Sequence, residues 1–198
     1  MTGRIRTATL ADAEPILEIY GPVVERTFIS FETEPPSLAE MRGRIERVTG
    51  SLPWLVLERS NGIVGYAYAS RHNDRAAYQW SVDVAVYVRE GERRQGAASA
   101  LYDSLFSCLR LLGVRNAVAI IALPNPASVG FHEALGFRRV ALFPGIGFKL
   151  SAWRDVGHWL LRLQEGAEPP EPLSTPGELG GTAAWRAAVA SGVGRFRS

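Results

Sequence analysis

The stretch from Trp80 to Gly113 reads WSVDVAVYVREGERRQGAASALYDSLFSCLRLLG, and two periodicities meet in it. From Trp80 to Val88 the residues alternate. Trp80, Val82, Val84, Val86 and Val88 fall on one face, and Ser81, Asp83, Ala85 and Tyr87 on the other. A period of two is the mark of a strand. Arg89 to Gln95 is charged and carries Gly91, so it reads as a loop. From Gly96 the period lengthens: Leu101, Leu105, Leu109 and Leu112 recur at helical spacing, and Gly113 suits the position just past the helix end. A long strand therefore runs through a tight, small-residue loop into a helix.

Upstream, Ile5 to Ala8 reads as a short strand. Thr9 and Asp12 are spaced as a capping box, with Pro15 tolerated in the first turn and Ile16, Ile19 and Tyr20 sharing one helical face. A second helix start follows Pro35-Pro36, at Ser37 to Glu40, with Met41, Ile45 and Val48 at helical spacing. Trp54 to Glu58 and Ile63 to Ala69 form a hairpin across Asn61-Gly62, a pair that suits a type I′ turn. Downstream, Val114 to Ala122 is an apolar strand, Pro124-Asn125-Pro126 a turn and Ala127 to Leu135 a short helix ending at Gly136. Phe137 to Phe143 and Val156 to Leu163 read as two more strands joined by a glycine-containing loop. The order β-α-α-β-β-β-α-β-α-β-β predicts an α/β fold with a mixed sheet. The tandem hairpins exclude strict βαβ alternation.

The chain has 198 residues, enough for one domain with a full core. Residues 1–165 read as that domain. Residues 166–198 are rich in Pro, Gly, Ala and Ser, and read as a flexible or loosely docked tail in which Thr182 to Ala190 can form one helix around Trp185. The 22 basic and 20 acidic residues nearly cancel, leaving a net charge of +2, which argues against a nucleic-acid or anionic-membrane binder. Cys108 is the single cysteine, so no intramolecular disulfide is expected, and His72, His132 and His158 show no metal-ligand spacing. No metal is expected. No apolar run has the length of a membrane span, and the N-terminus carries no signal-peptide pattern, so a cytoplasmic protein is expected.

Four places could carry chemistry. The loop Arg93-Arg94-Gln95-Gly96-Ala97-Ala98 opens a helix, whose N-terminal amides and dipole attract phosphate. The bland reading is a helix start with surface arginines. It is neither a Walker A loop nor a Rossmann fingerprint, since neither glycine pattern is present. Asp83 stands mid-strand, where aspartate is disfavoured, so it is either solvent-facing or a working base. Asn125 before Pro126 suits an N-cap with proline at N1, which suffices as an explanation. Phe28 to Thr33 and Ala77 to Trp80 cluster aromatic and polar residues, and read as core packing before substrate contact. His132 reads as a partly buried, hydrogen-bonded histidine and Cys108 as a small core residue.

In order along the chain, these pieces resemble the GNAT acetyltransferase superfamily, in the branch that acetylates phosphinothricin and methionine sulfoximine. The resemblance covers roughly Ile5 to Leu163. Its markers are Phe31-Glu32-Thr33-Glu34-Pro35, Trp80-Ser81-Val82-Asp83 with Val86-Tyr87-Val88, and Arg93-x-x-Gly96-x-Ala98. Leu123-Pro124-Asn125, His132 to Phe137, Gly147-Phe148-Lys149 and Trp153-x-Asp155-Val156-Gly157 follow. The resemblance implies a mixed, largely antiparallel sheet flanked by helices, and acetyl-CoA as acyl donor. It implies a pyrophosphate site on the loop from Arg93 through Arg94, Gln95, Gly96, Ala97 and Ala98 to Ser99. It also implies a pantetheine arm along Val86 and Val88, and a contact from Asn125. The acceptor amine would lie near Phe31, Thr33, Arg75, Tyr78 and Gln79, with Asp83 as the base.

Many relatives carry glutamate at the Asp83 position, and the shorter aspartate leaves room for a bridging water. Many carry arginine where Gln79 stands, so the acceptor's carboxylate needs another cation, Arg71 or Arg75. Ala98 replaces a common glycine of the loop and is still small. The expected function is direct transfer of acetyl to the amino group of a small amino-acid-like acceptor in a ternary complex, with Cys108 dispensable. The partners expected are a small amine and a second copy of the chain. The alternatives are a non-catalytic acyl-CoA-binding domain, an acetyltransferase of an unrelated small amine, and an interaction module built on the tail.

Overall fold

In the computed structural model, which describes residues 3–196, the alternating stretch is β4 (Ser81–Val88), the middle strand of a seven-stranded sheet. The other strands are β1 (Arg4–Thr7), β2 (Trp54–Arg59), β3 (Gly62–Arg71), β5 (Asn116–Leu123), β6 (Arg138–Lys149) and β7 (Ala152–Arg162). They lie in the order β1-β2-β3-β4-β5-β7-β6. Every neighbouring pair is antiparallel except β4 with β5, which is parallel. The mixed, mostly antiparallel α/β architecture is as the sequence predicts.

Helices α1 (Ala13–Arg26) and α2 (Leu38–Thr49) cover one face of the first half of the sheet. Ile16, Ile19, Met41 and Ile45 bury there against Trp54, Val56 and Tyr66. The predicted capping box forms at Thr9 with Asp12, and the predicted helix start at Ser37 is a second one, closed by Glu40. On the other face lies α3 (Ala97–Leu112), whose Leu101, Leu105, Leu109 and Leu112 are buried with Val82, Val84, Ala117 and Ile121. A fully buried leucine stabilises the fold by roughly 1.5–3 kcal/mol, so this stripe is a main anchor of the sheet. Helix α4 (Pro126–Ala134) follows β5 and starts at Asn125, whose side chain accepts from the Ser128 N–H at 3.1 Å.

Three sequence expectations change. The β2–β3 turn is not type I′. Ser60 and Asn61 form the loop between the paired Arg59 and Gly62, and Gly62 alone there has positive φ, +110°. Second, no glycine-containing loop separates the last two strands: β6 and β7 continue to Lys149 and Ala152, with register shifts that absorb the extra residues. Leu150 and Ser151, at φ +52° and +59°, make the tight turn, which no glycine announces.

Third, the tail is docked. The backbone N–H of Ser174 donates to the Leu112 carbonyl at 3.0 Å, and the Trp80 indole donates to the Glu171 carbonyl at 2.8 Å. After the short helix α5 (Pro176–Leu179), α6 (Ala183–Ala190) packs along α3. Trp185, Ala188, Val189 and Phe196 join the main core. Composition hides this, because alanine and glycine dock by letting backbones approach rather than by filling volume.

Candidate active site

The pairing of β4 with β5 is short. Ser81, Val82 and Asp83 meet Asn116, Ala117 and Val118, and there it ends. Beyond Asp83, β4 stays paired to β3 as far as Val88, while β5 follows β7 to Leu123. The two strands part like a fork with Asp83 at its closed end. The edge of β4 facing the opening keeps its backbone donors and acceptors available.

At the open end β4 runs into the loop before α3. Arg94 and Gly96 sit at φ +65° and +84°. Gly96 is the N-cap and has no side chain to satisfy the first-turn amides, so the N–H groups of Ala97, Ala98 and Ser99 stay available as donors. A groove of about 510 Å³ runs between the fork's arms. Val86, Val88, Arg93 and Arg94 with the start of α3 form one wall, and Asn125, Ser128, Phe131 and His132 the other. The structure thus brings together the predicted Val86, Val88, Arg93, Arg94, Gly96, Ala97, Ala98, Ser99 and Asn125. Gln95 is turned away: its Oε1 accepts from Arg59 Nη2 at 2.9 Å. Orphan amides beside two arginines, continued by an apolar slot, fit a diphosphate with a slim arm.

Asp83 is three-quarters buried, on the α1–α2 face of the sheet. Its Oδ1 lies 2.7 Å from His72 Nδ1. Burial raises the carboxyl above its ordinary value, and the hydrogen bond from His72 with the nearby His158 offsets part of that rise. Sequence reasoning missed His72. The link lies in the β3–β4 register: Ser70 pairs directly with Asp83, and His72, just past the end of β3, is the next residue on that face. His132 is spoken for. Its Nδ1–H donates to the Ser128 carbonyl at 2.8 Å, and its Nε2 accepts from Tyr102 Oη at 3.1 Å. Burial lowers its pKa, so it is a neutral wall residue, in keeping with the sequence reading.

The predicted acceptor residues split into two groups. Arg75, Tyr78 and Gln79 line a separate hollow of about 320 Å³ with Arg71, Ser81 and the tail residues Leu173 to Thr175. Tyr78 links that hollow to the fork, with its ring 6.2 Å from that of His72. Phe31 and Thr33 lie in the loop between α1 and α2, and the Phe31 ring rests on Gly147 of β6, where a Cβ would stand 1.9 Å from it. That loop is pinned by the buried Lys149, whose Nζ donates to the carbonyls of Val24, Ser30 and Glu32 at 2.6, 2.8 and 2.6 Å. Glu32 is paired bidentately with Arg44 at 2.7 and 3.0 Å. Lys149 was quoted in the sequence only as part of a marker; its role as a clamp needs the three-dimensional return of β6. Among the described residues no three His, Cys, Asp or Glu side chains cluster as a metal site requires.

The comparisons with known proteins agree with this geometry. The family model described as an acetyltransferase (GNAT) domain matches residues 5–157. Phosphinothricin N-acetyltransferase of Streptomyces viridochromogenes is 37% identical over 169 residues, 85% of this chain and 92% of the relative. The L-methionine sulfoximine/L-methionine sulfone acetyltransferase of Pseudomonas aeruginosa is 31% identical over 172 residues, 86% of this chain and 100% of the relative. Among solved structures, a phosphinothricin acetyltransferase from Sinorhizobium meliloti in complex with acetyl-CoA superposes with a TM-score of 0.81 at 36% identity, covering 87% of this chain and 94% of that one. By sequence and by the forked sheet alike, the chain belongs to the acetyltransferase (GNAT) family.

Proposed function

We propose that this protein transfers the acetyl group of acetyl-CoA to the amine of a small amino-acid-like acceptor, of the phosphinothricin or methionine sulfoximine kind. The observation that carries this is the fork itself. A largely buried carboxylate closes one end and an uncapped helix N-terminus with two arginines lies at the other. Asp83 and Val88 are five residue steps apart along β4, about 17 Å of strand, a span suited to an extended pantetheine arm.

Acetyl-CoA supplies the acetyl group as an activated thioester. The amides of Ala97 to Ser99 hold the pyrophosphate, with Arg93 and Arg94 adding charge. Backbone groups of Val86 and Val88 on the open edge of β4 orient the arm, and Asn125 closes the groove from the other side. An N–H on that edge polarises the carbonyl oxygen. The acceptor reaches the fork as an ammonium, which has no lone pair to attack with. Asp83 accepts its proton, directly or through one water, an assistance typically worth about 10²–10⁴ in rate. Burial suits Asp83 to this, because a carboxyl raised above its ordinary value is a stronger base. His72 holds Asp83 Oδ1 and leaves Oδ2 for the acceptor. Arg75, in the hollow that Tyr78 links to the fork, is the cation that serves an acceptor carboxylate, which the neutral Gln79 cannot. The relatives named for phosphinothricin and for methionine sulfoximine or sulfone support this acceptor class.

The test is a panel of acceptors, phosphinothricin, methionine sulfoximine, methionine sulfone and simple alkylamines, each with acetyl-CoA. The readout is the mass of the N-acetyl product. Acetylation of the amino acid analogues in preference to the alkylamines is expected. Equal rates on both, or product from neither, would contradict the acceptor class.

The working form is proposed to be a homodimer. β6 is the edge strand of the sheet and twelve residues long. Around it Val140, Leu142, Ile146, Phe148 and Trp153 are exposed, Trp153 to 67%. A long apolar sheet edge is what folded proteins otherwise protect, and a second copy of this chain would cover it.

A further inference from the structure

Residues 158–198 lie outside the region matched by the family model, yet residues 191–196 converge on one place. After α6 the chain climbs α3 towards its N-terminus. Ser191 Oγ lies 3.0 Å from Ser107 Oγ, and the Gly192 N–H donates to the buried Ser104 Oγ at 3.0 Å. A Cβ on Gly192 would stand 1.9 Å from the Ala100 carbonyl, so only glycine lets the two backbones approach there. Arg195 forms an ion pair with Asp103. The Arg195 carbonyl then occupies the space that a Cβ on Gly96 would need, 2.3 Å away. One residue on, the Phe196 ring lies 4.3 Å from the Arg59 guanidinium carbon. Arg59 donates in turn to Glu92 Oε2 at 2.7 Å and to Gln95 Oε1 at 2.9 Å. The loop before α3 is thus held from behind at Glu92, Gln95 and Gly96.

We propose that the C-terminal strap Gly192–Phe196 positions the pyrophosphate loop of the acetyl-CoA site. The inference rests on the reading that acetyl-CoA binds in this groove. Arg94 is a non-glycine residue in the left-handed region, and such a conformation persists only where its surroundings over-determine it. The strap holds the residues on either side of Arg94, Gly96 directly and Glu92 and Gln95 through Arg59. Arg195 acts through its carbonyl at Gly96, and Phe196 acts through Arg59. Both are positioning residues, and neither touches the groove. A loop already bent to receive phosphate binds without first paying the entropy of ordering itself.

The test compares wild type with Phe196→Ala, Phe196→Leu and a chain ending at Ser191. Free CoA binding is measured by calorimetry, and steady-state constants are taken with acetyl-CoA and with S-acetylpantetheine, which lacks the phosphates. The leucine variant keeps the apolar burial and removes the ring beneath Arg59, so a result survives if the shortened chain does not fold. The expected result is a CoA affinity about tenfold weaker in the shortened chain and the alanine variant, the size of the ordering cost of a few loop side chains. The leucine variant is expected to lie between them and wild type. KM for acetyl-CoA should rise in parallel, with kcat and the constants for S-acetylpantetheine unchanged. Unchanged CoA affinity in the folded variants, or equal losses with S-acetylpantetheine, would overturn the proposal. Absence of CoA binding to the wild type would overturn the acetyl-CoA reading itself, and is distinguished by that first titration.

Discussion

His72 Nδ1 lies 2.7 Å from Asp83 Oδ1, a bond between the end of β3 and the middle of β4 at the closed end of the fork. It joins two groups that no sequence spacing links. It fixes one carboxylate oxygen and pulls the Asp83 pKa back against the rise that burial imposes. Replacing His72 with alanine removes this restraint, with His158 left as the other nearby imidazole. The Asp83 pKa should then rise further. Since the proposed base would work ionised, activity should climb with pH through that pKa. The acidic limb of the kcat/KM profile is therefore expected to move to higher pH in His72→Ala. A hydrogen bond to a charged group is worth about 1.5–3 kcal/mol, so a rate loss of roughly 10–100-fold is expected near neutral pH. A limb that stays in place would contradict the pairing.

Acid stability should follow two other carboxylates. Burial pushes Asp12 and Glu32 up, but Arg6 with Thr9 and Arg44 with Tyr20 more than offset it, and both end below their ordinary values. A lowered folded pKa means that their stabilisation is whole above the unfolded value of about 4. It is lost as pH falls through the folded values. Thermal melts are expected to hold level down to about pH 4–5 and to fall below it. The fall should be shallower in Glu32→Gln, which has less left to lose. Identical pH slopes in the two proteins would count against the ion pair.

Lys149→Met should free the loop that carries Phe31 and Thr33. Lys149 is 7% exposed as a residue, and its ammonium satisfies three backbone carbonyls. Leaving a buried acceptor without its donor costs on the order of 1–3 kcal/mol. The expected outcome is a lower melting temperature with limited proteolysis moving to residues 27–36. An unchanged cleavage pattern would show that the loop holds without the clamp.

Cys108 should be inert. It is fully buried, and burial pushes its thiol up to about 12. Iodoacetamide is expected to leave the native enzyme active, and initial-velocity plots should intersect, as direct transfer requires. Parallel plots, or inactivation that tracks Cys108 alkylation, would point to a covalent acyl-enzyme.

The exposed β6–β7 face gives an assembly prediction. Phe148 and Trp153 touch edge to face, 5.4 Å between ring centroids, on the surface. Trp153→Arg is expected to convert the proposed dimer to monomer in sedimentation velocity. A wild-type chain that sediments as a monomer would remove the proposed interface.

What the sequence made legible was whatever one element carries alone. Alternation placed β4, heptad-like leucines placed α3, and start signals at Thr9 and Ser37 placed α1 and α2. The loop proposed to hold phosphate stands out in the sequence because Arg93 to Ser99 is contiguous. The His72–Asp83 pair was out of reach without the β3–β4 register, and the Lys149 clamp needs contacts more than a hundred residues apart. The tail was misread for a related reason. Its composition looks disordered, but Gly192 and Ala188 dock by closeness of backbone, a quantity that hydrophobicity does not measure. The Leu150–Ser151 turn escaped because neither residue signals positive φ.

The most direct test of the central claim compares kcat/KM of wild type and Asp83→Asn on the best acceptor of the panel, with free CoA affinity measured on both. The asparagine keeps the shape and removes the base. The account predicts a loss of about 10²–10⁴ in kcat/KM with CoA affinity unchanged. An Asp83→Asn enzyme that retains most of its turnover would contradict it, and the base would have to be sought elsewhere in the fork.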